Sequence, residues 1–379
     1  MKHIRGWLIA AAALCVAGAL LAGGAFAMVG FDVWQLDATS GEIEEKSYSA
    51  PVAGVEEIRL ELGNRRVEIL PAEGEEIALE YTETKYCKFE ISNENGVLRV
   101  RTVNTERHYN WLKQVWSGMF SGLSEARTRC VLRVPQGYQK LLSVRTTNGS
   151  INCSGIGQLE DLSLDTSNAA IEVENCALPQ LKATTTNARI ELDDLSVAGT
   201  AVLSTTNGSL HLTQVKAGRL EMKTTNSSID LDSVTASGGL EAETKNGTVK
   251  GRALEVGETL WLKTTNGTLT LEDSRARVAT VETTNAAVRL ERISCDKTFT
   301  ATTKNGRVEF ERMEATTTNF KTTNASVKGS FVGGQGDYNY RCTTTNGKSN
   351  LGESGGTGAQ KQFYCATTNG NIDISFTQS

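Results

Sequence analysis

Four carboxylates are the side chains whose types and spacing come closest to a chemical site. Glu172 and Glu174 recur as Glu191 and Asp193 about 20 residues later. Stacked carboxylates can bind Ca²⁺ or serve as an acid and a base on a polysaccharide. A solvated charged face contains the same residues, and that interpretation is favoured. We therefore expect no catalytic residue and no cofactor, and these four residues are the one metal candidate.

Two other chemistries are excluded by the sequence. Gly352–Gly356 spells Gly-Glu-Ser-Gly-Gly, but a nucleophile elbow needs a strand-to-helix turn and a later histidine. The last histidine is His211, so no such triad can form. The formal net charge of −5 argues against a nucleic-acid partner, which would require a basic surface.

Eight cysteines raise the question of disulfides. Five stand where other repeats carry Ile, Leu, Val or Ala, so they are expected to be small buried hydrophobes: Cys153, Cys176, Cys295, Cys342 and Cys365. Cys342 and Cys365 should stack on neighbouring repeats, within disulfide reach of their Cα atoms, although stacking by itself does not give the side-chain direction that a bridge needs. Cys87 and Cys130 flank an insert and form the favoured bridge.

A four-residue motif, Thr-Thr-Asn-Gly, recurs with a period of about 20 residues, which indicates a repeat architecture. This repeat determines the elements that position the residues above. Its asparagines are Asn148, Asn168, Asn187, Asn207, Asn226, Asn246, Asn266, Asn285, Asn305, Asn324, Asn346 and Asn369. With Asn as position 0, positions −4 and +3 are apolar in nearly every copy, and −2 is always Thr. We expect the asparagines to form a structural ladder, and the threonines a second column.

Apolar residues alternate with polar ones around each asparagine, which predicts strands with one buried face. Each repeat offers two strands, hinged at the Asn-Gly corner. Strands this short bury their faces by stacking in parallel. The sequence therefore predicts an all-β fold: a single-stranded parallel β-helix, or β-solenoid, of about twelve regular rungs.

The two ends of this solenoid are expected to be irregular. Residues 56–135 read as degenerate first rungs, one around Asn64 and one from Phe89 to Val100, and 136–379 as the regular solenoid. An amphipathic helical insert over 109–123 is predicted to cap the first rung, or alternatively to lie at a lipid surface. At the other end, either glycine-rich loops cover the last rung or the edge of Ile372–Phe376 pairs with a partner.

The N-terminal segment predicts a membrane location. Residues 1–6 are basic, and 7–29 form an apolar run long enough to span a bilayer. The positive flank puts residues 1–6 in the cytoplasm and the bulk outside. Cleavage after Ala27 as a signal peptide would instead release the protein. An uncleaved single-pass anchor is favoured, with 30–55 as a linker.

The Thr-Thr-Asn-Gly repeats from Leu141 to Phe376, and the strand ending Val134-Pro135, resemble a bacterial family of unknown function described as adhesins. The resemblance implies a cell-envelope β-solenoid with a surface-binding role and no established catalytic residues. We thus predict a non-enzymatic, membrane-anchored, extracytoplasmic module that binds an envelope polysaccharide or another envelope protein. The alternatives are a glycan-active enzyme that uses surface carboxylates, and an envelope sensor or assembly scaffold.

Overall fold

The computed structural model describes residues 43–84, 87–104, 128–157, 159–356 and 358–377. These residues form an all-β parallel solenoid of about eleven turns, with 27 strands in one sheet. The predicted anchor (7–29) and the predicted helical insert (109–123) lie outside the described residues. Within the described ranges, no helix has the length and apolar character needed to cross a membrane.

The strands fall into three groups along the chain. The N-terminal group is β1 (Glu44–Pro51), β2 (Glu57–Glu61), β3 (Arg66–Ala72), β4 (Glu76–Glu83), β5 (Cys87–Glu94), β6 (Val97–Asn104) and β7 (Arg129–Pro135). The regular rungs are β8 (Leu141–Arg145), β9 (Ile151–Ser154), β10 (Asp161–Asp165), β11 (Ile171–Leu178), β12 (Leu181–Thr184), β13 (Ile190–Ser204), β14 (Leu210–Lys223), β15 (Ile229–Asp232), β16 (Thr235–Ala236), β17 (Leu240–Glu243), β18 (Val249–Arg252), β19 (Glu255–Lys263), β20 (Leu269–Glu282), β21 (Val288–Thr302), β22 (Val308–Lys321) and β23 (Val327–Val332). The C-terminal group is a 3-10 turn (Gln335–Asp337), β24 (Tyr338–Thr344), β25 (Ser354–Gly355), β26 (Lys361–Thr367) and β27 (Ile372–Thr377).

The asparagine ladder is present, and it explains the first corner of each rung. Each Asn Nδ2 donates to the Oδ1 of the asparagine on the adjoining rung at 2.6–2.8 Å, as in Asn226 to Asn207. The predicted threonine column lies buried beside it. Thr205 Oγ1 accepts the N–H of Gly208 at 3.1 Å, and Thr224 Oγ1 on the next rung donates to the Gly208 carbonyl at 2.9 Å. The threonine therefore closes its own turn and ties it to the neighbouring rung.

Each regular rung has three strand segments, so the prediction of two was wrong. In the rung of Asn207, β14 buries Leu212 in the second segment and Val215 in the third. The chain turns between them at Gln214, whose φ is 54°. The same left-handed corner recurs at position +7 in Asn175, Asp194, Gln214, Ser233, Ala253, Asp273, Arg292 and Arg312. No single residue type occupies this position in all rungs, so the sequence carries no repeated signal for this corner.

The N-terminal end departs from sequential stacking. Strand β2 pairs in parallel with β6 on one side and with β8 on the other, so the order in space is β6–β2–β8. The segment from Phe89 to Val100 was predicted to be a degenerate rung, and this was wrong. It forms an antiparallel hairpin of β5 and β6. It turns at Asn95 and Gly96, both with positive φ. Asn-Gly is also the preferred dipeptide of two-residue hairpin loops, which is why the repeat pattern misled here.

The C-terminal end inverts the order in the same way. Strand β26 pairs with β22 on one side and with β24 on the other. The ladder accordingly runs Asn324–Asn369–Asn346, so the last segment of the chain lies one rung inside the end. Both edges of the inserted strand β26 are paired, and we infer that this limits the fraying expected of a chain terminus.

The edge of Ile372–Phe376 is not the open pairing surface that one alternative predicted. Ile374 is only 2% exposed. Its N–H donates to Asn350 Oδ1 at 2.9 Å, and its carbonyl accepts from Asn350 Nδ2 at 2.8 Å. Strand β25 covers part of β24 in antiparallel orientation. The glycine-rich loop therefore folds over the end, which was the other alternative.

The two predictions about cysteine pairs have opposite outcomes. All seven cysteines among the described residues are thiols. Cys130 lies opposite Val67 and Tyr81, whereas Cys87 lies opposite Asn104, so the predicted bridge between Cys87 and Cys130 was wrong. The two have no shared register because β5 belongs to the hairpin. Cys342 and Cys365 do stack, as direct register partners.

A buried hydroxyl without a hydrogen bond gives a stability prediction. Thr318 is 0% exposed, lies between Phe299 and Phe363, and its Oγ1 has no partner among the described residues. Because an unsatisfied buried polar group destabilises by about 1–3 kcal/mol, Thr318→Val should raise the free energy of urea unfolding by about that amount.

The matched control for this prediction is Thr322→Val, at the corner that directly follows β22. Thr322 Oγ1 donates to the Gly306 carbonyl at 2.8 Å, so its removal should destabilise by about 1–3 kcal/mol. Equal signs for the two substitutions would contradict the assignment of Thr318 as unsatisfied.

A buried carboxylate at the N-terminal end gives a pH prediction. The Glu83 side chain is 5% exposed and accepts from Lys46 Nζ at 2.8 Å and the Phe89 N–H at 2.8 Å, with Lys88 Nζ at 3.1 Å. Burial alone raises the pKa of Glu83, but these partners outweigh it and leave the pKa below its ordinary value. A carboxyl with a lowered folded pKa stabilises above its unfolded pKa, and that stability is lost as pH falls through the folded pKa. Glu83→Gln should therefore flatten the loss of stability in acid-titrated urea unfolding; an unchanged pH slope would contradict this.

Candidate functional site

A long concave surface lies on one face of the solenoid, formed by the second strand segment of each rung. We call it the second-strand face; its outward residues are at positions +4 and +6. Two grooves lie on it, of about 550 and 280 Å³, and they meet at Thr270 and Glu272. At about 4.8 Å per rung, the seven steps from the His211 rung to the Asp373 rung span about 34 Å.

The floor of the groove is the sheet itself, because position +5 points into the core. Leu271, Leu290 and Phe310 occupy that position and are buried. Gly329 fills it on the next rung, where a Cβ would lie 2.0 Å from the Phe310 carbonyl oxygen and 2.5 Å from its ring. The large Phe310 ring therefore requires glycine beside it. The walls of the groove are consequently the side chains at +4 and +6, most of which are charged.

The groove walls carry alternating charges that pair across rungs. Arg289 Nε lies 3.3 Å from Glu309, and Lys328 Nζ lies 3.8 Å from Asp373. Arg252 contacts Asp232 on the preceding rung, and this hydrogen bond holds the pKa of the Asp232 carboxyl below its ordinary value.

A second arginine pairs with carboxylates at the rim of the groove. Arg292 contacts Asp273 and Glu291, and its hydrogen bond lowers the pKa of Asp273. Among the described residues, Glu272 and Glu311 line the groove without an ion pair within 4.0 Å, so they are the carboxylates open to a ligand.

The four predicted carboxylates are brought together, but not as an empty array. The β11–β13 register places Glu172 beside Glu191, and Glu174 beside Asp193. Arg189 lies between the first two, with Nη2 at 2.6 Å from Glu172 and Nε at 3.0 Å from Glu191. These contacts raise the pKa of Arg189, Glu172 contributing most. A calcium ion would have to displace this guanidinium, and the described residues contain no cluster of three or more ligands arranged for a metal.

Comparison with known sequences identifies the family. The Toastrack DUF4097 family matches residues 55–255 and again 219–379. The chain belongs to the Toastrack DUF4097 family. No protein with a curated description matches it. A solved structure from Clostridium sporogenes, described as a "putative cell adhesion protein", aligns over 89% of this chain and 100% of its own, with 8% identity and a TM-score of 0.19. At that TM-score we draw no conclusion from the likeness.

The Toastrack repeat explains why the sequence predicts the strands that carry the site but not most of the residues that line the groove. The residues that recur in each repeat, Thr at −2 and Asn at 0, form the corner and do not line the groove. Residues lining the groove, such as Arg289 and Lys328, differ from rung to rung. The one available signal was the outward position of +4 and +6, which located the carboxylate columns but not their arginine partners.

Proposed function

We propose that this Toastrack chain is a non-enzymatic binding module, and that the groove on its second-strand face holds an extended polymer of the cell envelope. The observation that carries the proposal is the length of the groove, about 34 Å from seven rung steps, with at least one charged side chain on each rung from Asp230 to Asp373. A ligand that uses such a surface must itself be extended and polar, as a polysaccharide chain or an extended polypeptide is.

The proposal includes an N-terminal membrane anchor at residues 7–29, with the solenoid outside the cytoplasm. The support is the apolar run itself and the place where the described chain begins. Strand β1 pairs with β4, which pairs with β7 beyond the first rung, so the chain enters at the N-terminal tip. A tether at this tip would leave the groove accessible along the rod.

The two alternatives have less support. A glycan-active site would need a carboxylate pair free to exchange protons, and in the predicted array Arg189 occupies one of the two pairs, Glu172 with Glu191. A scaffold that recruits a partner at the C-terminal edge would need open backbone groups, but Asn350 already binds those of Ile374. The groove is therefore the surface on which the proposal depends.

The test is charge reversal in the groove. Full-length protein carrying Glu272→Lys and Glu311→Lys should lose at least about tenfold in affinity for isolated cell-wall polysaccharide, about 1.4 kcal/mol, in a co-sedimentation assay. The matched control is Glu255→Lys with Glu282→Lys, which changes the same charge on the other two faces and should bind as wild type. Equal loss in both double variants, or no binding by the wild type, would contradict the proposal.

A further inference from the structure

The inverted order of the C-terminal strands brings two thiols together at the end of the solenoid. Strand β24 is outermost, and Cys342 on it is the direct register partner of Cys365 on the inserted strand β26. Both side chains point into the core, with 2% and 1% exposure. The two thiols are close enough for each to shift the pKa of the other. The only covalent link between these strands in the thiol form is the connecting loop.

We propose that Cys342 and Cys365 are a redox-modification site, at which a small-molecule or protein disulfide converts the two thiols into one disulfide that fixes β24 to β26. Neighbouring strands are about 4.8 Å apart, which lies within the Cα separation of about 4.4–6.8 Å that disulfides require. The bond would hold the outermost rung on the inserted one.

The exchange balances without any group from the protein other than these two thiols. The Cys342 thiolate attacks one sulfur of the external disulfide and forms a mixed disulfide, and one external thiol leaves. The Cys365 thiolate then attacks the Cys342 sulfur, and the second external thiol leaves. Two protein thiols are oxidised and one external disulfide is reduced to two thiols. Cys342 is assigned the first attack because it lies on the outermost strand and the neighbouring Cys365 thiol lowers its pKa, whereas burial raises the pKa of Cys365.

Access to this pair comes from the position of β24. On its outer side, among the described residues, β24 pairs with the two-residue strand β25, and the Cys342 N–H donates to the Glu353 carbonyl at 2.9 Å. Local opening of an edge with few contacts requires little free energy, and it would expose Cys342. The pair Cys153 and Cys176 provides an internal comparison. These two cysteines are also close, with Cys176 Sγ 3.9 Å from the Cys153 carbonyl oxygen, but Cys153 lies opposite Val173 rather than Cys176. Strand β11 is paired on both edges there, so we expect that pair to stay reduced.

The test uses the full chain, first fully reduced and then incubated with oxidised glutathione. After alkylation of free thiols, non-reducing peptide mapping by mass spectrometry should find one intrachain link, between Cys342 and Cys365. The urea midpoint of the C-terminal rungs should rise on oxidation and return on reduction. Cys342→Ser should abolish this shift, and Cys295→Ser, which removes a buried thiol elsewhere, should leave it unchanged.

Three outcomes would overturn the proposal. The first is that both cysteines are recovered alkylated, or carry glutathione only, after prolonged incubation. The second is a link between chains, visible as a non-reducing dimer. The third is a link between Cys342 and Cys365 that leaves the urea midpoint unchanged. Because the peptide mapping is done on the wild-type chain, a folding defect in a serine variant cannot mask the disulfide.

Discussion

Phe363→Ala is expected to lower the free energy of unfolding by about 3–5 kcal/mol, the range for a buried phenylalanine truncated in a core. Phe363 is 0% exposed, and its ring centroid lies 4.5 Å from that of Phe331 and 5.4 Å from that of Tyr340. It belongs to an aromatic cluster that fills the last rungs: Phe310, Phe320, Phe331, Tyr338, Tyr340, Phe363 and Phe376. Because β26 is inserted, the cavity would open onto rungs on both sides.

The control for this prediction is the adjacent residue. Tyr364 lies on the same strand but points outward and is 43% exposed, so Tyr364→Ala should change the free energy of unfolding by no more than about 0.5 kcal/mol. Urea unfolding of both variants measures the difference. A similar loss for both substitutions would mean that Phe363 is not in the core between two rungs.

Gly208→Ala is expected to destabilise by about 1–3 kcal/mol or more, as overpacking of a closed site does. A Cβ on Gly208 would lie 1.6 Å from the carbonyl oxygen of Ala188 on the preceding rung. That oxygen belongs to the backbone of a paired rung, so neither side can move without breaking the ladder or the threonine column. Urea unfolding of the full chain provides the measurement.

The reverse substitution at the same position of the preceding rung is the control. Ala188→Gly adds no atom and should cost only about 0.5–1 kcal/mol in backbone entropy. The sequence alone suggests that Gly, Ala and Ser are interchangeable at position +1. A cost for Gly208→Ala no greater than that for Ala188→Gly would support that simpler view and contradict the stacked geometry.

The regular part of the solenoid could be predicted because its determinants are local and repeated. Each Asn at position 0 bonds to the Asn of the adjoining rung, as Asn226 does to Asn207. Each Thr at −2 bonds to a backbone carbonyl at +1 of the adjoining rung, as Thr224 does to Gly208. The residues that build this corner therefore recur in every repeat, and the recurrence makes the corner visible in the sequence. The apolar positions at −4 and +3 follow from the same stacking, since each column must fill one continuous core.

The third segment and the two inverted ends could not be predicted for different physical reasons. The corner at +7 is a backbone conformation that stacking imposes on residues as unlike as Gln214, Ala253 and Arg292. At the C-terminal end, Cys342 and Cys365 occupy the same position in their repeats, so either order of the last two rungs buries the same columns. Long-range contacts of the aromatic cluster and the loop decide the order, and the period does not encode them.

The candidate site was predictable only in outline. Alternation identified +4 and +6 as outward positions, which correctly placed Glu172 beside Glu191. Their neutralisation by Arg189 depends on a side chain from the corner segment reaching two rungs at once. Glu272 and Glu311 are left without an ion pair because Arg252 pairs with Asp232, and Arg292 pairs with Asp273 and Glu291. This choice of partners is a property of the folded surface.

Residues one repeat apart in the sequence lie one rung apart along the solenoid axis, except that the last segment of the chain is inserted one rung below the end. Glu221, Tyr364 and Arg341 occupy the same outward column, so distances between spin labels on them measure it directly. Six steps to Tyr364 predict about 29 Å, and seven steps to Arg341 predict about 34 Å, at about 4.8 Å per rung. Pulsed electron paramagnetic resonance should therefore find the 221–364 distance shorter than the 221–341 distance by about one rung. The opposite order, or two distances unrelated to the rung spacing, would contradict the account.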